Sequence, residues 1–173
     1  INIGDTWKTV TEIKINVGDV WKATDVAPLS NSLYGYYLGG YTNTAVSNLS
    51  YRITFSTGVI AANTVSNLTT VRYIGGSVSD SVAFGYTLGG NSGAVVVTSD
   101  KITFSSGATA ANTSSNITTA TADQSSINDE GTYGYSMGGY TASANTVVTN
   151  RITFSSGVTA ANTVSNLPAA KRD

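Results

Sequence analysis

Whatever chemistry this chain performs must be done without imidazole or thiol, because it contains no His and no Cys. That removes Ser-His-Asp and Cys-His nucleophilic centres and the zinc sites built on those ligands. It also leaves no disulfide framework from which the compartment can be read. The remaining candidates are carboxylates, cations, and polar or aromatic side chains on loops. Of the ten carboxylates only Asp129 and Glu130 are adjacent, and the set reads as scattered rather than periodic. A glycosidase needs two carboxyl groups facing each other about 5–10 Å apart. Calcium needs about six to eight oxygens. Asp123, Asp129 and Glu130 are a thin set for either, so the expectation is no catalytic centre, no metal and no cofactor.

Charged residues make up 11% of the 173 residues, with net charge −1, against about 25% charged in typical soluble proteins. Thr, Ser, Asn, Gly and Ala fill the gap. The nine Lys and Arg are dispersed, which gives no stripe for a nucleic-acid backbone and no polybasic membrane patch. No run approaches the ~20 apolar residues of a membrane-spanning helix. Neither nucleic acid nor membrane insertion is expected.

Three motifs recur at intervals of 49 or 50 residues. The first is Gly35-Tyr36-Tyr37-Leu38-Gly39-Gly40, with copies at Gly85–Gly90 and Gly134–Gly139. The second is Arg52-Ile53-Thr54-Phe55, repeated at Lys101–Phe104 and Arg151–Phe154. The third is Ala61-Ala62-Asn63-Thr64, repeated at Ala110–Thr113 and Ala160–Thr163. A tandem unit of this size points to propeller blades or arrays. The units run 27–68, 69–117 and 118–167, and Leu167–Lys171 aligns with Leu68–Arg72 as the start of a fourth. With Ile1 in the place of Met, the chain reads either as a segment of a longer protein or as copies that complete each other's sheets.

Each unit parses into short strands. Tyr36–Leu38 and its copies form one, ending at a Gly pair that permits a tight turn or close approach. Ile53 and Phe55 alternate with Thr54, which predicts an inward apolar face. On that pattern Ile53, Phe55, Ile102, Phe104, Ile152 and Phe154 are expected to be buried at equivalent positions. Ser-Thr-Gly or Ser-Ser-Gly then marks a hairpin, and the return strand is expected to carry Ala61, Ala62 and Val65 towards Leu68. A further strand is expected around Arg72–Val78, and no helix anywhere. Residues 1–26 carry a shorter repeat, Ile1–Lys8 and Ile15–Lys22, read as two hairpins with Gly-Asp turns covered by Trp7 and Trp21. Isolated hairpins are marginal in water, so this stretch reads as a stem or adaptor.

The connections after the Gly pairs differ while their flanks barely change. They are Tyr41–Ala45, Asn91–Val95 and Tyr140–Ala144, and variable loops on a constant scaffold are where binding usually sits. Tyr41, Asn43, Asn91, Ser92, Tyr140 and Thr141 are the candidate ligand-binding residues, with aromatic, amide and hydroxyl groups suited to sugar. Arg52, Lys101 and Arg151 can grip acidic sugars or phosphates; the alternative is that each braces a neighbouring strand.

The Gly39-Gly40, Gly89-Gly90 and Gly138-Gly139 doublets, each ending an apolar strand once per unit, resemble those of Kelch repeats, over roughly 27–173. The usual Trp after the doublet is absent; Phe55, Phe104 and Phe154 supply an aromatic instead. The wording GYxxGG, RITFSSG and AANTVSNL, behind an INIGDTWK-type repeat, resembles Kelch-like repeats of tailed-bacteriophage and cyanophage virion proteins. That resemblance implies an all-β architecture of three Kelch-like blades, a partial β-propeller or one completed by other copies, behind a β-hairpin stem. It also implies a non-enzymatic virion component, a tail fibre or tail tip, that attaches to a host-surface glycan by multivalent contacts. A purely architectural virion protein and a secreted carbohydrate-active enzyme on a propeller scaffold are the alternatives. Three blades leave two exposed edges, so the chain is expected to join copies of itself and other virion proteins rather than remain a free monomer.

Overall fold

The computed structural model describes residues 33–129 and 131–172 in full, and of residues 1–32 the backbone of four short strands. The chain forms two compact units, Ile1–Asn31 and Ser32–Asp173. In the first, β1 (Asn2–Ile3) pairs antiparallel with β2 (Thr6–Trp7), and β3 (Ile13–Val17) with β4 (Val20–Thr24). Ile3 faces Thr6 and Val17 faces Val20, so two residues separate the strands of each hairpin, as the repeated Gly-Asp predicts. The side chains of Trp7 and Trp21 lie outside the described residues.

The second unit holds three antiparallel meanders. Sheet I is β5 (Tyr34–Tyr41), β6 (Val46–Thr54) and β7 (Val59–Ala62). Sheet II is β8 (Gly76–Ser79), β9 (Phe84–Leu88), β10 (Ser99–Thr103) and β11 (Ala108–Ala111). Sheet III is β12 (Ser125–Asn128), β13 (Tyr133–Met137), β14 (Thr149–Thr153) and β15 (Val158–Ala161). The expected strand at Arg72–Val78 is therefore shorter, Gly76–Ser79, and its polar counterpart Ser125–Asn128 forms equally well. The counterpart in sheet I falls at residues 26–29, outside the described residues.

The return strand also stops earlier than its sequence suggests. Strand β7 ends at Ala62, and Thr64–Ser66 makes a 3-10 turn repeated at Thr113–Ser115 and Thr163–Ser165. The cause is an asparagine clamp. The side-chain oxygens of Asn67, Asn116 and Asn166 each accept the backbone N–H of Ser50, Ser99 and Thr149 at 2.9 Å. The hydroxyls of those three residues in turn donate to the carbonyls of Ser66, Ser115 and Ser165. The clamp ties each turn back onto the middle strand and buries Leu68 and Ile117.

Cross-strand partners share a face, and in sheets II and III one such face meets the preceding sheet. Phe104 stacks on Tyr36 with ring centroids 6.0 Å apart, and Phe154 on Tyr86 at 6.1 Å. Thr109 and Thr159 donate their hydroxyls to the carbonyls of Ser66 and Ser115, each at 3.0 Å. Thr69 donates its N–H and hydroxyl to Asp100, and Thr118 does the same to Asn150. Sheets I–II and II–III thus meet through one repeated set of contacts.

The expectation of uniformly buried Ile and Phe is corrected by this arrangement. Ile102, Ile152 and Phe154 are buried, Phe104 and Ile53 are half-buried, and Phe55 is 59% exposed. Phe104 and Phe154 each gain cover from a tyrosine of the preceding sheet, and within the second unit no sheet precedes sheet I.

Candidate functional site

The loops after the Gly doublets are set by how those doublets are used. Gly39, Gly89 and Gly138 lie at φ +69°, +61° and +65°, where a Cβ is disfavoured. At Gly89 a Cβ would also stand 2.5 Å from Ile117 Cδ1 and 2.6 Å from the Thr121 carbonyl. The next glycine then donates its N–H to the returning linker: Gly40 to Arg72, Gly90 to Thr121 and Gly139 to Lys171. Every loop therefore leaves its sheet at the same place and from a rigid base.

Beyond that base the linkers string the loops along one edge. The Tyr41 ring meets Tyr73 at 5.4 Å. Tyr73 and Asn91 exchange backbone N–H···O bonds of 3.1 and 3.0 Å, and Ala122 and Tyr140 do likewise at 3.0 and 2.7 Å. The Asp123 N–H donates to the Ile74 carbonyl, and the Arg172 guanidinium stands 5.0 Å above the Tyr140 ring. The row thus runs Tyr41, Tyr73, Asn91, Ile74, Asp123, Ala122, Tyr140, Arg172. Tyr73 and Arg172 come from the linkers and were not among the candidates. The signal for them is the linker position 73, 122 and 172, which carries Tyr, Ala and Arg in the three units.

The six candidates divide by what their side chains already do. Thr141, like Thr42, uses its hydroxyl to close its own loop on Ala144 or Ala45, at 2.9 and 3.0 Å. The Tyr140 phenol donates to the Ala142 carbonyl at 3.2 Å, and Asn91 Oδ1 accepts from Gly93 N–H at 2.8 Å. These three candidates, with Thr42 beside them, shape loops. The Tyr41 phenol, the Asn43 amide and the Ser92 hydroxyl enter no hydrogen bond among the described residues, and Tyr41 and Asn43 are exposed.

The repeated cations brace strands. Arg52 sits 4.2 Å over the Tyr34 ring, Lys101 4.5 Å over Phe84 and Arg151 4.6 Å over Tyr133, contacts worth about 0.5–1 kcal/mol when exposed. Two carboxylates do recur in step, contrary to the scattered reading. Asp80 accepts the N–H groups of Val82, Ala83 and Phe84, and Asp129 those of Gly131, Thr132 and Tyr133. The donors at Tyr133 and Thr132 hold the Asp129 carboxyl below its ordinary value. Among the described residues no three Asp or Glu side chains gather where a metal ion could be held. No family model matches this chain, and no curated protein does.

Proposed function

We propose that the chain is a structural component of a tailed-phage virion, part of a tail fibre or tail tip, whose loop edge attaches to host-surface glycans. The three meanders are read as Kelch-like blades, which the shared strand order and repeated joints support. The observation that carries the reading is the pairing of exposed Tyr41 and Asn43, with Tyr73 alongside, on loops that vary over a repeating scaffold. An aromatic face beside amide and hydroxyl groups suits a sugar ring. The chain acts without catalysis, in the extracellular particle, joined to copies of itself and to other virion proteins. Linking copies raises avidity by about 10²–10⁴ over a single weak site.

The architectural alternative draws support from the loop-closing roles of Thr141 and Tyr140. A glycan array probed with multimerised chain decides between them. Binding that falls about tenfold in Tyr41→Ala supports attachment; no binding to any glycan leaves the architectural role. Hydrolysis of an arrayed polysaccharide would instead indicate an enzyme.

A further inference from the structure

The two ends of the stacked sheets expose the two halves of the contact set that joins them internally. On the incoming face of sheet I, Tyr37, Tyr51, Phe55 and Ile60 are all exposed, around a cleft of about 250 Å³ lined by Gly35, Tyr36, Tyr37, Tyr51, Ile53 and Ile60. On the outgoing side of sheet III, Asp123, Ser125, Met137, Leu167, Lys171 and Arg172 line a cleft of about 310 Å³. At the internal joint the positions of Met137 and Leu167 are held by Leu88 and Ile117, which are 1% and 3% exposed. The outgoing cleft is therefore shaped as the seat of a further sheet.

We infer that this seat is filled by the sheet I face of a second copy, giving head-to-tail association. The decisive observation is a matched replacement. At the internal joints Thr69 faces Asp100, and Thr118 faces Asn150, each through an N–H and a hydroxyl. The equivalent of Thr69 and Thr118 at the outgoing end is Pro168, which has neither donor. The equivalent of Asp100 and Asn150 at the incoming end is Tyr51, set opposite Tyr37 as Asp100 is opposite Thr87. Donor and acceptor are lost together, and an apolar ring remains on each side.

Other pairs keep their internal form. Phe55 is free to stack on Tyr135 as Phe104 stacks on Tyr36. A Cβ on Gly107 would lie 3.3 Å from both the Tyr36 phenol oxygen and Asn63 Nδ2, whereas Gly58 has open space around it. Gly58 thus fits between Tyr135 and Asn162 of another copy. Ile60 gives up the hydroxyl of Thr109 and Thr159, but the Ser165 carbonyl already accepts from Thr149 Oγ1 at 2.8 Å. Such a heterologous contact yields a ring if its rotation closes and a filament if it does not.

The inference rests on the self-association in the reading above and is independent of sugar binding. Because the chain has no Cys, single-cysteine variants report the contact directly. Mixing Tyr51→Cys with Pro168→Cys under oxidation should give the mixed disulfide. In sedimentation at graded concentration, Tyr51→Asp should weaken association about ten- to a hundredfold by setting a carboxylate against a residue with no donor. Adding Pro168→Thr to Tyr51→Asp recreates the internal pair and should restore it. Tyr51→Cys copies linking to one another, or Tyr51→Asp leaving association unchanged, would overturn the head-to-tail contact while self-association stands. A wild-type chain that stays monomeric at every concentration would overturn both.

Discussion

Arg72 holds the joint between sheets I and II from a buried position. Its guanidinium donates to the Thr98 carbonyl at 2.6 Å, the Gly89 carbonyl at 3.2 Å and Asp100 at 3.1 Å. Burial pulls its pKa below the ordinary arginine value, and the Asp100 carboxylate opposes that pull. Arg72→Met should cost about 3–5 kcal/mol, because it leaves Asp100 buried without its cation. The second joint makes do without either charge: Thr121 and Ser136 donate to Gln124 Oε1, Gln124 Nε2 donates to the Leu88 carbonyl, and Asn150 replaces Asp100. Adding Asp100→Asn to Arg72→Met should therefore recover most of the loss in urea denaturation; a double variant no more stable than the single would disprove the account. The aromatics grade the same way. At concentrations where the chain is dilute, Phe154→Ala should cost about 3–5 kcal/mol and Phe55→Ala no more than about 0.5, with Phe104→Ala between them.

At the scale of the element, the Gly doublet does two jobs that any side chain would spoil. Gly89→Ala combines a φ of +61° with a Cβ inside contact distance of the Ile117 side chain and the Thr121 carbonyl. It should destabilise by more than about 1 kcal/mol. Gly131→Ala meets nothing within 4 Å, and thermal melts should place it within about 0.5 kcal/mol of wild type. Local features such as these were legible in the sequence: alternation at Ile102–Thr103 and Ile152–Thr153, the glycine of each hairpin at φ +66° to +69°, and the Gly doublets. Val65 was misread because Asn67 reaches back 17 residues to Ser50, and no period-2 or period-3.6 pattern encodes that bond. Arg72 was misread because its partners lie 17 to 28 residues on, in the next sheet. The connections after the Gly doublets were legible as loops but not their arrangement along one edge, and the side chains that close a loop share their residue types with those that enter no such bond.

Across the molecule, burial follows position in the stack, since sheets with the same strand pattern differ according to what precedes and follows them. The two tyrosines at the joints make this measurable by pH. Tyr36 and Tyr86 carry Phe104 and Phe154 on their rings, and desolvation raises both phenols above the ordinary value of 10.0. For Tyr36 the nearby Arg52 pulls the other way, and for Tyr86 the Asp80 carboxylate adds to the rise. A phenol whose folded pKa exceeds its unfolded one binds its proton more tightly when folded, so its stabilising effect is complete below the unfolded value. That stability is then lost as pH rises from about 10 through the higher folded value, because the ionised unfolded state is favoured. The chain should therefore hold its resistance to urea up to about pH 10 and lose it steeply beyond, with tyrosinate absorbance rising as the sheets part. Tyr86→Phe should be less stable at neutral pH or equal to wild type, but should show a shallower alkaline loss. If that variant loses stability above pH 10 as steeply as wild type, the buried phenol at the second joint is not what ties the stack to pH.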